Sequence, residues 1–318
     1  MARTSLIIDC DPGVDDAIAL LLAFASPDEL ELIAVTTVGG NVPATLTARN
    51  ARLIRQLAGR EEVPVHVGAE APLIRAPVAA SHFHGESGLG SLAIFEPLAP
   101  VAEGRSAVAI VEAVMRRPAG SVALAVMGPM TNLALAIRLE PAIVPRLGTV
   151  VVMGGARREG GNITASAEFN IFADPHAAHV VFSSGCRIVV LGLDATHQVR
   201  ATTERVAAIM ALDTVTTRAA AEILDFCRRT WLAQVGPGDP PLHDPCTIAY
   251  LLAPHLFTAA PVDLKVETAS ALTQGHTAVE FRLKDPAAAT VQWVTEVDAD
   301  GVFALLLERL ARGARLQA

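Results

Sequence analysis

Short apolar runs that alternate with helix-patterned stretches constrain this chain more than any other feature in it. Residues 5–9 (SLIID), 30–39 (LELIAVTTVG), 63–68 (VPVHVG), 121–128 (SVALAVMG), 149–155 (TVVVMGG) and 186–194 (CRIVVLGLD) read as buried strands, short and rich in β-branched residues. Between them, residues 15–26, 43–59, 107–120 and 131–147 space their apolar residues for helices. Strands apolar on both faces need cover on both sides, so the expected fold class is α/β, an open, mostly parallel, doubly wound (Rossmann-like) sheet. Residues 201–260 read as mostly helical, interrupted by 235–245 (VGPGDPPLHDP). Further strands are expected at 262–270 and 276–283, and a C-terminal helix at 301–313. No linker or internal repeat divides the 318 residues, which predicts a single domain over 1–318.

Composition removes several classes of function. The chain is 52% hydrophobic and 18% charged, yet no run reaches the roughly 20 apolar residues of a membrane span. Carboxylates interrupt the opening MARTSLIIDCDPG too early for a signal peptide, so a cytoplasmic location is expected. Cys10, Cys186, Cys227 and Cys246 are scattered without a paired spacing, and reduced, packed thiols are expected. A formal net charge of −8 without a basic run argues against a nucleic-acid partner and leaves small-molecule chemistry.

In an open α/β sheet the functional residues gather in the crevice at the carboxyl ends of the strands, and the polar clusters fall there. Residues 7–20 (IIDCDPGVDDAIAL) place Asp9, Asp11, Asp15 and Asp16 on the turn after the first strand, where Pro12 and Gly13 force a tight bend. A helix cap accounts for one or two of these aspartates. Four of them require a cation, and a donor set of oxygens alone points to Ca²⁺ or Mg²⁺ rather than Zn²⁺. A second cluster, AVMGPMTN (125–132), is an ordinary strand-to-helix turn that also frees the backbone carbonyl of Met127. The long glycine-rich connection 154–178 carries Asn162, Glu168, Phe169 and Asn170, a rim suited to vicinal hydroxyls. His243 and Asp244 precede a helix in 240–252 (PPLHDPCTIAYLL); alone they read as a loop residue and a cap.

Together these stretches resemble the inosine/uridine-preferring nucleoside hydrolases. DCDPGVDDA looks like the signature of that family, and MGPMTN, GNITASAEFNIFADPHAA and HDPCTIAY resemble its later motifs in order. So do TTVGGNV with Asn41 and HGESGLG with His84. The resemblance spans nearly the whole chain. It implies a calcium-dependent hydrolase that cleaves ribonucleosides to ribose and free base, usually as a homodimer or homotetramer. By the same resemblance Ca²⁺ would be held by Asp11, Asp16, the Met127 carbonyl and Asp244, with Asp9 in support. Asp15 and Asn170 would bind the ribose 2′- and 3′-hydroxyls, and Asn162 and Glu168 the 5′ end. Asn41 would line the sugar site, and His243 would lie on the base side.

The residue chemistry agrees with this assignment. A cation lowers the pKa of water, so Asp11 is placed to act as general base near neutral pH. Cleavage at C1′ builds oxocarbenium-like positive charge that surrounding carboxylates favour. The leaving base needs a proton, for which His243 is the donor expected, or an aromatic stack. Many relatives place tyrosines before the His-Asp pair, whereas here the only Tyr is Tyr250, beyond it; Phe226 and Trp231 are the aromatics available, and Trp231 sits in a helical pattern where core or interface is the commoner role. Ala165 stands where relatives often carry proline. Two other readings fit parts of the pattern: a ribose or nucleoside binder with the same metal site, and a haloacid dehalogenase-type phosphatase built on Asp9 and Asp11. The phosphatase needs a lysine beside the cluster, and the chain has only Lys265 and Lys284.

Overall fold

The computed structural model describes residues 3–316. Its strands are β1 (Thr4–Cys10), β2 (Leu30–Thr37), β3 (Val65–Val67), β4 (Val122–Val126), β5 (Leu147–Met153), β6 (Ile188–Leu191), β7 (Phe257–Val266), β8 (Thr277–Glu280) and β9 (Val291–Val297). Its helices are α1 (Val14–Phe24), α2 (Ala44–Leu57), α3 (Ser81–His84), α4 (Ser106–Arg116), α5 (Thr131–Leu139), α6 (Phe169–Ala173), α7 (Pro175–Phe182), α8 (Leu193–Thr196), α9 (Thr203–Met210), α10 (Val215–Gln234), α11 (Pro245–Leu252) and α12 (Ala299–Leu316).

All nine strands form one sheet in the order β3-β2-β1-β4-β5-β6-β9-β7-β8. Pairing is parallel from β3 through β9, and only β7 runs antiparallel to its neighbours. Alternate residues of the central strands enter two separate cores, as a doubly wound sheet requires. Leu6 and Ile8 face α1, α10, α11 and α12 on one side. Ile7, Leu124 and Val152 face α4, α5 and α7 on the other.

Four local expectations are corrected. The helix expected over 131–147 stops at Leu139; Glu140 then caps a 3₁₀ turn over Pro141–Arg146, because Pro141 and Pro145 have no N–H to continue an α-helical ladder, and Leu147 already belongs to β5. The helical reading of 201–260 ends early, since β7 starts at Phe257. The glycine-rich connection holds α6 and the start of α7, the latter begun by Asp174, whose Oδ1 accepts from the Ala177 N–H at 3.0 Å. The strand at 291–297 was not expected. It enters the sheet between β6 and β7, where Trp293 is fully buried and fills the space left by Gly155 and Gly192. All four cysteines are free and buried, and no helix among the described residues is long and apolar enough to cross a membrane.

Candidate active site

The strand order reverses between β1 and β4, and the crevice outside their carboxyl ends is where an open α/β sheet binds its ligand. Only Asp11, Pro12 and Gly13 separate β1 from α1, so the aspartates sit over that crevice. Met127 closes the end of β4, its N–H donating to the Asp9 carbonyl at 2.8 Å. Asp9 is sealed beneath the turn, where its Oδ1 accepts from the Thr36 hydroxyl (2.6 Å) and from Asn132 Nδ2 (2.8 Å). Asn41 ties the next layer together: its N–H reaches Asp11 Oδ2 (2.7 Å), and its Nδ2 reaches both Asp16 Oδ2 (3.1 Å) and the Asp11 carbonyl (3.2 Å). Asp16 also caps α1 by accepting from the Gly13 N–H at 2.9 Å, so capping and site-building coexist in one side chain.

The carboxylates are brought together without a compensating cation. Oxygens of Asp15, Asp16 and Asp244 lie within 4.8 Å of one another. Among the described residues no Lys or Arg forms an ion pair with any of them or with Asp9 or Asp11. Burial pushes Asp9 and Asp15 up to about 6, and burial with repulsion from Asp15 pushes Asp16 up to about 7. Asp11 and Asp244 are raised well above the ordinary carboxylate range, by burial first and then by Asp16 and Asp15 respectively. Asp244 begins α11 but makes no capping hydrogen bond. Buried Asp11 Oδ1 and Asp9 Oδ2 have no protein partner. This donor set fits a hard divalent cation, whose charge would offset the repulsion. Lys265 pairs with Asp263 on β7, and among the described residues neither it nor Lys284 forms an ion pair with the cluster, as a phosphatase lysine would.

Two glycines set the position of Asp11. A Cβ on Gly40 would lie 2.1 Å from Asp11 Oδ2, and one on Gly128 2.4 Å from Oδ1. Gly128→Ala should therefore displace this carboxylate and lower kcat by about 100-fold; an unchanged kcat would show that the exact position of Asp11 is unimportant.

Above the cluster lies a cavity of about 530 Å³ lined by Asp15, Asn41, His84, Met127, Asn162, Glu168, Phe169, Asn170, Trp231, His243 and Asp244. Every residue expected to touch substrate reaches this space, while Asp9, Asp11 and Asp16 lie fully buried. Asn170 Nδ2 donates to the carbonyls of Met127 (2.8 Å) and Met153 (3.2 Å), spanning the ends of β4 and β5. Glu168 caps α6, accepting from the N–H groups of Asn170 and Gly155, both at 2.9 Å, and burial pushes it up to about 7. Asn162 Oδ1 accepts from the Phe169 N–H at 2.8 Å, which fixes the rim loop. His84 Nδ1 accepts from the Val14 N–H at 3.1 Å and so caps α1, and burial pushes its pKa down to about 3.

On the opposite wall His243 Nδ1 pairs with the Thr196 hydroxyl at 2.8 Å, and burial, reinforced by His197 and Arg200, pushes the ring down to about 3. His243 is therefore neutral at pH 7, a hydrogen-bond donor rather than a store of positive charge. Trp231 on α10 faces the cavity with the Arg200 guanidinium 5.7 Å from its ring centre. Phe226 instead packs against the backbone at Gly90. Sequence reasoning missed Thr36, Thr196, His197 and Asn132, the last within a stretch read only as a strand-to-helix turn. Asn132 stands in MGPMTN, and its type and place at a strand end were the one available signal.

The family profile described as inosine-uridine preferring nucleoside hydrolase matches residues 6–304. The chain belongs to the inosine-uridine preferring nucleoside hydrolase family. It is 39% identical over 308 residues to the inosine-uridine preferring nucleoside hydrolase of Crithidia fasciculata, covering 96% of this chain and 97% of that one. It is 41% identical over 308 residues to the pyrimidine-specific ribonucleoside hydrolase RihA of Enterobacter sp. (strain 638), with the same coverage. The solved purine-preferring ribonucleoside hydrolase from Gardnerella vaginalis superimposes with a TM-score of 0.91 at 31% identity, covering 98% of this chain and 99% of that one. Membership of the nucleoside hydrolase family makes this protein an N-glycosyl hydrolase. The names of these relatives span purine and pyrimidine bases.

Proposed function

We propose that this family member is a calcium-dependent ribonucleoside hydrolase that adds water across the C1′–N bond to give ribose and the free base. The observation that carries the reading is the carboxylate cluster, paired with no Lys or Arg among the described residues, opening into a cavity rimmed by Asn and Glu side chains. Asp11, Asp16, Asp244 and the Met127 carbonyl would hold Ca²⁺, with Asp15 close enough to Asp16 and Asp244 to share in it. Bound there, the cation offsets the carboxylate repulsion and acidifies water. Asp11 accepts the proton of the attacking water. Asp15 and Asn170 take the 2′- and 3′-hydroxyls and Asn162 and Glu168 the 5′-hydroxyl, so that carboxylates face the ring as positive charge grows on it. When the C1′–N bond breaks, its electron pair leaves with the base; His243 donates a hydrogen bond to the departing base, which takes its proton from solvent while the proton held by Asp11 returns to bulk water. In the tautomer where Thr196 donates to Nδ1, the His243 Nε2–H faces the base.

The deciding assay measures ribose released from inosine, uridine, cytidine, adenosine and guanosine. Release from at least one supports the reading; release from none, with binding retained, would convert it to a nucleoside binder. His243→Ala should lower kcat for a natural nucleoside by about 10² to 10³-fold but that for p-nitrophenyl riboside, whose leaving group needs no proton, far less. Equal losses on both would remove His243 from leaving-group chemistry. A homodimer or homotetramer is the proposed assembly, read out by sedimentation velocity.

A further inference from the structure

His197 follows α8 and reaches the same cavity as His243, their ring centres 5.8 Å apart. Its Nδ1 lies 2.8 Å from Glu159 Oε2. The Glu159 carboxylate selects the tautomer with the ring hydrogen on Nδ1, and in that tautomer Nε2 is an acceptor. Among the described residues that Nε2 has no protein partner, and it is not sealed from solvent. Glu159 itself faces away from the cavity, in a separate groove of about 640 Å³ lined also by Arg157, Arg158 and Asp194. Asp194 holds this arrangement in register: its carboxylate accepts from the Arg157 N–H at 2.8 Å and the Arg158 N–H at 2.7 Å, pinning the loop that carries Glu159 to α8. Thr196 and His197, adjacent in the chain, thus orient or supply the two imidazoles on the base side.

We propose that His197 is a base-specificity residue that accepts a hydrogen bond from a ring N–H of the nucleobase, and that Glu159 is its positioning residue. This rests on the ribonucleoside hydrolase reading and adds to it a preference for bases with a ring N–H. The test compares kcat/KM for inosine with purine riboside, and for uridine with 3-methyluridine, pairs in which the second member lacks that N–H. p-Nitrophenyl riboside serves as the sugar-side control. His197→Ala is expected to cost about tenfold on inosine or uridine and to leave the N–H-free partners and the control within about twofold. Glu159→Gln keeps an acceptor for Nδ1–H and should behave as wild type, whereas Glu159→Ala should reproduce part of the His197→Ala loss, mainly in KM. Equal losses on all substrates, no loss on inosine or uridine, or turnover of p-nitrophenyl riboside with neither natural nucleoside cleaved would each overturn the proposal. Wild-type protein that releases ribose from nothing, the control included, would instead overturn the hydrolase reading and this inference with it.

Discussion

Asp11→Ala protein is expected to release ribose about 10² to 10⁴-fold more slowly than the wild type, the range a positioned general base contributes. The expectation follows from how completely the fold is committed to this one carboxylate. One oxygen is fixed by the Asn41 N–H and the other is buried without a partner, while glycines at 40 and 128 leave no slack around them. Asp11→Asn retains the side-chain volume and serves as the control for folding; without added metal it should keep the melting temperature of metal-free wild type or exceed it, because it relieves carboxylate crowding, and it should be as inactive as the alanine variant. A near wild-type rate in either variant would remove Asp11 from the chemistry.

Chelation with EGTA is expected to abolish turnover, and Ca²⁺ to restore it. Full activity in a demonstrably metal-free sample would disprove the metal assignment. The same carboxylates give the metal-free protein an unusual dependence of stability on pH. Asp9, Asp15 and Asp16 have folded values of about 6, 6 and 7, against an ordinary value of 3.8. For an acid whose folded pKa is raised, the stabilising contribution is complete below the ordinary value and is lost as pH rises through the folded one. A tenfold change in proton affinity between the unfolded and folded states corresponds to about 1.4 kcal/mol, so metal-free protein should lose at least about 5 °C in Tm between pH 5.5 and 7.5. Added Ca²⁺ should raise Tm by an amount that grows over the same interval, because it binds the ionised forms. A Ca²⁺ effect on Tm that shrinks as pH rises would refute this linkage.

The architecture was legible because each central strand is apolar on both faces and each crossover has helical spacing, and the four aspartates were legible because they crowd one turn. What escaped notice depends on contacts between distant segments. Asn41 is expected at the sugar site by resemblance, but its bonds to Asp11 and Asp16 form only once β1 and β2 lie side by side. Thr36 meets Asp9 only through the same pairing. Asn132 lies 123 residues from Asp9, and His197 is 38 residues from Glu159. The strand 291–297 has β-branched residues of its own, but nothing local shows that it will pair between β6 and β7. His243 lines the cavity, and the burial that pushes its pKa down to about 3 is a property of the packed chain rather than of the sequence around it.

The placement of β9 has a consequence for synthesis. β9 follows every other described strand in the sequence yet is an interior strand, so before it is made β6 has no partner on its open side, and β7 and β8 cannot join the main sheet. Completion of the sheet waits for the synthesis of β9. A premature stop anywhere between β8 and β9 would leave the aspartate turn intact in sequence while exposing the short, apolar edge of β6, the kind of surface that quality-control proteases and chaperones recognise.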